Sequence, residues 1–260
     1  MKHVILGASG QVGSAIVSHL LDNGEQVRAV IRDPRDAGGR ENRGAEVAIA
    51  DIYDSDALTA AVMGADTFFV LTPESGKEKD VIGEIKTALD NYRKAAQAAE
   101  VPRIVGLSSS GAQHASGTGY LRLSYLLEHA FNGLPSKTVF IRPAYYFSNW
   151  LEYLDPVRKE GILPSFFPPD KQISMIAPAD VAAFVAKVLT TEKDKERIYE
   201  LEGPEQYTAG DVAKAMSEAL NQPVNVSVVP REQWEEQFRQ AGFSPDGISN
   251  FIEMTEAVVN

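Results

Sequence analysis

The chain has 260 residues, 44% hydrophobic and 23% charged, a globular composition whose length suits one α/β domain with a smaller appended lobe. It contains no cysteine, which excludes disulfides, thiolate zinc sites, iron–sulfur clusters and cysteine nucleophiles. Its 25 Lys+Arg against 36 Asp+Glu give a net charge of −11, without the basic footprint of a nucleic-acid binder.

The N-terminus, MKHVILGASG, lacks a charged stretch followed by a long apolar run, so it does not read as a signal peptide. No apolar run approaches the ~20 residues of a membrane span. The expectation is a soluble, cytoplasmic protein.

In chain order, the apolar run 3–7 predicts a first strand. Val12, Ile16, Leu20 and Leu21 then form a helical stripe over 12–24, closed by Gly24. Strands are predicted at 26–32 and 45–51, a short helix at 56–63, a strand at 66–72 and a long helix at 77–100. Further strands follow at 103–109 and 137–143. This alternation predicts parallel pairing through right-handed crossovers, hence a doubly wound Rossmann sheet.

After residue 143 the rhythm changes. Pro143, Pro156, Pro164, Pro168 and Pro169 punctuate an irregular, aromatic-rich stretch. A helix at 178–190 and a strand at 197–203 follow, then a helix at 208–221, a strand at 224–229 and helices at 230–242 and 246–259. The charged run 192–197 reads as a solvated turn.

Gly7-Ala8-Ser9-Gly10-Gln11-Val12-Gly13 joins the first strand to the first helix, where a dinucleotide site needs glycines. Gly7 permits the tight turn, Gly10 lets backbone approach a pyrophosphate, and Gly13 allows close packing of helix on sheet. The helix N-terminus offers free N–H donors to the anion. Arg32 lies 19 positions beyond Gly13, at the end of the second strand, where a guanidinium forks onto a 2′-phosphate. That favours NADP(H) over NAD(H), although Asp33 could serve the ribose of NAD(H), and a solvated arginine is the bland alternative. On this reading residues 1–143 form the dinucleotide-binding core. Residues 144–260 return one helix and one strand to it and build a small C-terminal α/β substrate lobe.

The segments GASGQVGS, VRAVIRDP, GAEVAIADIYDSDAL, DTFFVLTP, VPRIVGLSSSGA, IRPAYYFSNW, PADVAAFVAKVL and YELEGPEQYTAGDVAKAMSEAL, in this order, resemble the NmrA-like branch of the atypical short-chain dehydrogenases/reductases. The resemblance runs along essentially the whole chain. It implies a Rossmann protein of a group that includes quinone, triphenylmethane-dye and phenylpropanoid reductases, and redox-sensing regulators that bind the dinucleotide without turnover. By position it implies that Gly7, Ser9, Gly10, Gln11 and Val12 line the pyrophosphate and that Arg32 meets the adenosine phosphate. Asp51 and Ile52 would border the adenine, and Leu71, Thr72 and Pro73 would lead towards nicotinamide. Ser108 to Ser110 match the serine-rich strand end, and Pro143, Tyr145, Tyr146 and Phe147 the segment near nicotinamide and substrate.

A short-chain reductase pairs a tyrosine with a lysine four residues on, which lowers the tyrosine pKa. Here Tyr120 is followed at that spacing by Ser124, which also stands four residues before Glu128, where family members place the lysine. Tyr120 is thus a candidate proton donor without its usual helper, or a core or pocket aromatic. Electron-poor acceptors such as quinones or cationic dyes take hydride through orientation alone. Seven aromatics in the 23 positions 145–167 (Tyr145, Tyr146, Phe147, Trp150, Tyr153, Phe166 and Phe167) form a candidate acceptor pocket or a packing cluster.

His114 follows the serine-rich strand end and is a candidate substrate contact or an exposed loop residue. The four histidines show no metal-binding spacing, so no metal is expected, and the serines form no nucleophile elbow. The expectation is an NADPH-dependent reductase of small electron-poor aromatic or quinone-like molecules, with a non-catalytic NADP(H) sensor as the rival. A small-molecule partner is expected, with neither nucleic acid nor membrane, and a homodimer is left open.

Overall fold

The computed structural model describes residues 1–36, 43–191 and 197–259; of the charged run 192–197, all but Arg197 lies outside them. In the first half, β1 (Lys2–Ile5), α1 (Gln11–Asp22), β2 (Gln26–Ile31), β3 (Glu46–Ile49), α2 (Ser55–Val62), β4 (Thr67–Leu71), α3 (Val81–Ala98), β5 (Arg103–Leu107), α4 (Leu121–Ala130) and β6 (Lys137–Pro143) alternate as expected. The chain returns later with α6 (Pro178–Thr190) and β10 (Ile198–Leu201). Seven parallel strands lie in the order β10-β6-β5-β4-β1-β2-β3. Strand order therefore reverses between β1 and β4, which opens a crevice at the C-terminal edge of the sheet.

Neighbouring residues on each strand feed opposite faces, because side chains alternate along a strand. Val4, Phe68, Ile104 and Phe140 pack under Leu58, Val62, Ile85, Leu89, Tyr92, Leu123 and Leu127 of α2, α3 and α4. Ile5, Phe69, Val105 and Ile141 pack under Ile16, Val17, Leu20, Val181, Val185 and Leu189 of α1 and α6. Such strands, buried on both faces, are apolar throughout. Helix starts are set locally. Asp54 accepts from the N–H groups of Asp56 and Ala57, and Asp80 from that of Gly83 at 2.8 Å. The long helix consequently begins at Val81 rather than at residue 77.

The proline-punctuated stretch is more regular than its sequence predicts. It holds β7 (Tyr145–Tyr146), a 3-10 segment over 147–153, α5 (Leu154–Glu160), β8 (Ile162–Ser165) and β9 (Ile173–Ile176). Beyond β10 come β11 (Gln206–Tyr207), α7 (Ala209–Leu220), β12 (Asn225–Val228), α8 (Trp234–Gln240) and α9 (Pro245–Val259). A small sheet runs β11-β9-β7, and β8 pairs with β12. Trp150, Val157, Leu163, Phe167, Met175 and Met216 fill the space between them.

Candidate functional site

The glycine turn sits at the strand-order reversal. Gly7 has φ +62°, the left-handed region, and a Cβ there would lie 2.9 Å from Leu71 Cδ2. Gly10 caps α1 in extended geometry, and its N–H donates to the Gly7 carbonyl at 2.9 Å. A Cβ on Gly13 would fall 2.2 Å from the Gly7 oxygen and 3.2 Å from Ala8 Cα. The helix start is thus pressed against the backbone of the turn itself. No side chain caps α1 and its first turn carries no acidic residue, so its N-terminal dipole is left uncompensated, an arrangement that could receive an anion. Gly7, Ser9, Gly10 and Gln11 are exposed, whereas Val12 and Gly13 are buried.

At the end of β2, Asp33 is taken up by Arg35. The Arg35 backbone N–H and Nε each donate to Asp33 Oδ1 at 2.9 Å, and Nη2 donates to Oδ2. The side-chain bonds, then the backbone bond, hold the Asp33 carboxyl below its ordinary pKa. Arg32 is exposed and has no hydrogen-bond or ion-pair partner among the described residues. Beyond β3, Asp51 Oδ1 accepts from the N–H of exposed Tyr53 at 2.9 Å.

Two consecutive residues of α3, absent from the sequence-based candidates, fix the floor. Buried Asn91 donates from Nδ2 to the Ile52 carbonyl at 3.0 Å, and the Tyr92 hydroxyl donates to the Leu71 carbonyl at 3.2 Å. Half-buried Thr72 and exposed Pro73 follow at the end of β4.

The ends of β5 and β6 differ from the sequence expectation. Ser108 is buried and its hydroxyl donates to Glu128 Oε1 at 2.6 Å, so it serves an internal network rather than the open edge. Arg142 Nε and Nη2 complete a bidentate pair with Glu128, each at 2.8 Å, and Nη1 reaches Glu200 at 3.4 Å. Pro143 is buried, and its carbonyl accepts from the Ser110 N–H at 3.1 Å. Tyr145 and Tyr146 are half-buried, and burial raises both phenol pKa values.

Tyr120 stands at the start of α4, 1% exposed, with its ring edge-on to Phe251 at 6.1 Å. Its hydroxyl donates to Glu78 Oε2 at 2.9 Å. Burial, then that bond, pushes the phenol pKa up, the reverse of what an activated proton donor needs. Ser124, one turn on, is buried and brings no cation.

The aromatic segment divides. Trp150 (2% exposed) and Phe167 lie inside the lobe core, and the Trp150 indole N–H has no partner among the described residues. Phe166 packs against Phe238 and Trp234. Exposed Phe147 meets Tyr207 edge-on at 5.4 Å. Ser148 Oγ donates to Gln11 Oε1 at 3.2 Å, tying the 147–153 segment to the start of α1. His114 is exposed, beside Gln113.

A groove of about 610 Å³ lined by Arg93, Pro102 and Leu134 opens at the N-terminal ends of β5 and β6, away from this edge. Among the described residues no group of three His, Asp or Glu could hold a metal ion, and no helix is long and apolar enough to cross a membrane.

The model of the NmrA-like family matches residues 2–260. The chain is 26% identical over 232 residues to the NAD(P)H azoreductase of Xenophilus azovorans, covering 88% of this chain and 78% of that protein. It is 22% identical over 252 residues to Quinone oxidoreductase 2 of Escherichia coli (strain K12), covering 95% and 84%. The crystal structure of Citrobacter sp. triphenylmethane reductase complexed with NADP(H) superposes with a TM-score of 0.84 at 23% identity, covering 100% and 88%. That likeness shows the shared fold.

Proposed function

The chain belongs to the NmrA-like family, and from that premise we propose that it is an NADPH-dependent oxidoreductase delivering hydride to a small, electron-poor, quinone-like or aromatic acceptor. The family resemblance, the reductases among its relatives and the geometry of the sheet edge support this reading. The observation that carries the cofactor choice is at the end of β2, where Arg35 takes up the Asp33 carboxylate and Arg32 is exposed with no hydrogen-bond or ion-pair partner among the described residues. A carboxylate so engaged is a poor acceptor for ribose hydroxyls, whereas an exposed guanidinium suits a phosphate dianion.

The uncapped start of α1, with no side chain at Gly10, fits a pyrophosphate. A dinucleotide bound there supplies a two-electron hydride. Gly7, Ser9, Gly10, Gln11 and Val12 hold its phosphates, and Arg32 selects the 2′-phosphate. Asp51 and Ile52 border the adenine, with the Ile52 carbonyl fixed by Asn91. Leu71, Thr72 and Pro73 lead along β4 to the reactive end, where Tyr145, Tyr146 and Phe147 flank the acceptor. We assign cofactor binding to residues 1–143 and acceptor binding to elements of 144–260. The buried hydroxyl of Tyr120 is assigned to holding Glu78.

Calorimetric titration tests the cofactor assignment. Arg32→Ala should weaken NADPH by about 10- to 100-fold, the worth of hydrogen bonds to a charged group, and leave NADH nearly unchanged. Equal losses for both would refute it. Absorbance-monitored NADPH oxidation with a quinone panel tests turnover, and the absence of any acceptor-dependent oxidation would favour a second reading, a non-catalytic NADP(H) sensor. That reading is favoured by Ser124 standing where the family's lysine is expected and by the raised Tyr120 pKa.

A further inference from the structure

We propose that Ser148 is a positioning residue for the dinucleotide, acting through Gln11: its hydroxyl turns the Gln11 amide so that the amide N–H groups face the pyrophosphate. This rests on the cofactor-binding reading above and deepens it.

The two side chains come from opposite halves of the chain. Gln11 is exposed and is the first residue of α1, directly after Gly10. Ser148 is half-buried and belongs to the 3-10 segment 147–153. Its hydroxyl donates to Gln11 Oε1 at 3.2 Å, across 137 positions of sequence. That contact sets the acceptor-side segment against the glycine turn.

The chemistry of the amide gives the contact its meaning. A glutamine amide accepts at Oε1 and donates at Nε2, whereas an ionised pyrophosphate only accepts. An amide that presented Oε1 to the phosphates would repel them. Ser148 takes up Oε1, and Nε2 is left with no hydrogen-bond partner among the described residues. The backbone N–H groups of Gln11 and Val12 are likewise without partners among the described residues, since the helix ladder starts with the Ser14 N–H on the Gly10 carbonyl at 2.9 Å. The side-chain donor therefore adds to the backbone donors of the same helix start, and each is strengthened by a charged acceptor. Glutamine also has much rotamer freedom to lose, and an amide already held loses less of it on binding.

Ser148 is itself held from both sides. Before it, the Ala144 N–H donates to the Leu201 carbonyl at 2.8 Å, and Tyr145 and Tyr146 pair with Met175 and Ile176 of β9. The neighbouring Phe147 ring rests edge-on against Tyr207. After it, Trp150 is buried in the lobe core. A hydroxyl presented from backbone anchored in this way is preorganised.

The pyrophosphate is common to NADPH and NADH, so Ser148 should strengthen both alike, whereas Arg32 should act on NADPH alone. The two residues are thereby separable in one set of titrations.

The test is calorimetric titration of NADPH and NADH into the wild type, Ser148→Ala, Ser148→Thr, Gln11→Leu and the Ser148→Ala/Gln11→Leu double variant. Ser148→Ala should weaken both dinucleotides by about 3- to 10-fold, the worth of one neutral hydrogen bond. Ser148→Thr, which keeps the hydroxyl, should restore wild-type affinity, and Ser148→Ala should cost nothing further once Gln11 is leucine. Scanning calorimetry of the free proteins should place Ser148→Ala within about 2 °C of the wild type, which separates positioning from a loss of fold. Unchanged affinity in Ser148→Ala, an equal loss in Ser148→Thr, a loss confined to NADPH, or the full loss persisting beside Gln11→Leu would each overturn the assignment. If the wild type binds neither dinucleotide, the cofactor-binding reading fails and this inference with it; if wild type and Ser148→Ala bind both alike, only Ser148 is misassigned.

Discussion

Replacing Gly13 by alanine sets two effects of opposite sign against each other. Within a helix alanine is favoured over glycine by about 1 kcal/mol, so on propensity alone the variant should be more stable. Against this, the new Cβ would sit 2.2 Å from the Gly7 carbonyl oxygen and 2.8 Å from its carbon. Both are backbone atoms, which no rotamer change moves aside. Overpacking costs about 1–3 kcal/mol, and a clash with fixed backbone belongs at the upper end, leaving a net loss of about 2 kcal/mol. For a domain of this size that lowers Tm by about 4–8 °C. Gly10→Ala is the control. Its Cβ would approach only to 3.3 Å of the same oxygen, and the backbone there is extended. It should cost about 0.5–1 kcal/mol through the weaker cap and act mainly by weakening NADPH. Scanning calorimetry gives the first quantity and nicotinamide fluorescence titration the second. A Gly13→Ala protein that melts at or above the wild-type temperature would refute the close packing of α1 on its own turn.

Two further outcomes concern buried charge. Arg142→Met leaves Glu128 without its bidentate partner and should cost about 3–5 kcal/mol in urea unfolding, whereas a double variant that also replaces Glu128 by leucine should recover much of the loss. His3 is fully buried between Thr67 and Glu25, and desolvation, opposed by Glu25, holds its pKa below 6.5. The unfolded chain therefore takes up that proton first. The His3 contribution is complete above about pH 6.5 and is lost as pH falls from there towards the folded-state value. A His3→Gln variant should show a flatter stability profile between pH 7 and 5, and parallel profiles would dismiss the mechanism.

The sheet was legible because its strands are apolar runs set by two-sided burial, as Val4 and Ile5 or Phe68 and Phe69 illustrate. The glycine turn was legible for a related reason, since backbone constraints leave a residue-specific mark. The lobe was not. β7 and β11 are two residues long and exist only through pairing with β9, distant in sequence and silent in local pattern. Clustering of aromatics between 145 and 167 did not reveal which rings turn inward, and Trp150 and Phe167 do. The Ser108 motif hid its orientation in the same way, because the hydroxyl's direction depends on Glu128 from another element.

The adjacency of Asn91 and Tyr92 has a mechanical consequence. One turn of α3 braces the chain after β3 through the Ile52 carbonyl and the end of β4 through the Leu71 carbonyl. The two supports are thereby ganged, and any tilt or axial slip of that helix carries both in the same sense. The span between them keeps its length when the helix shifts.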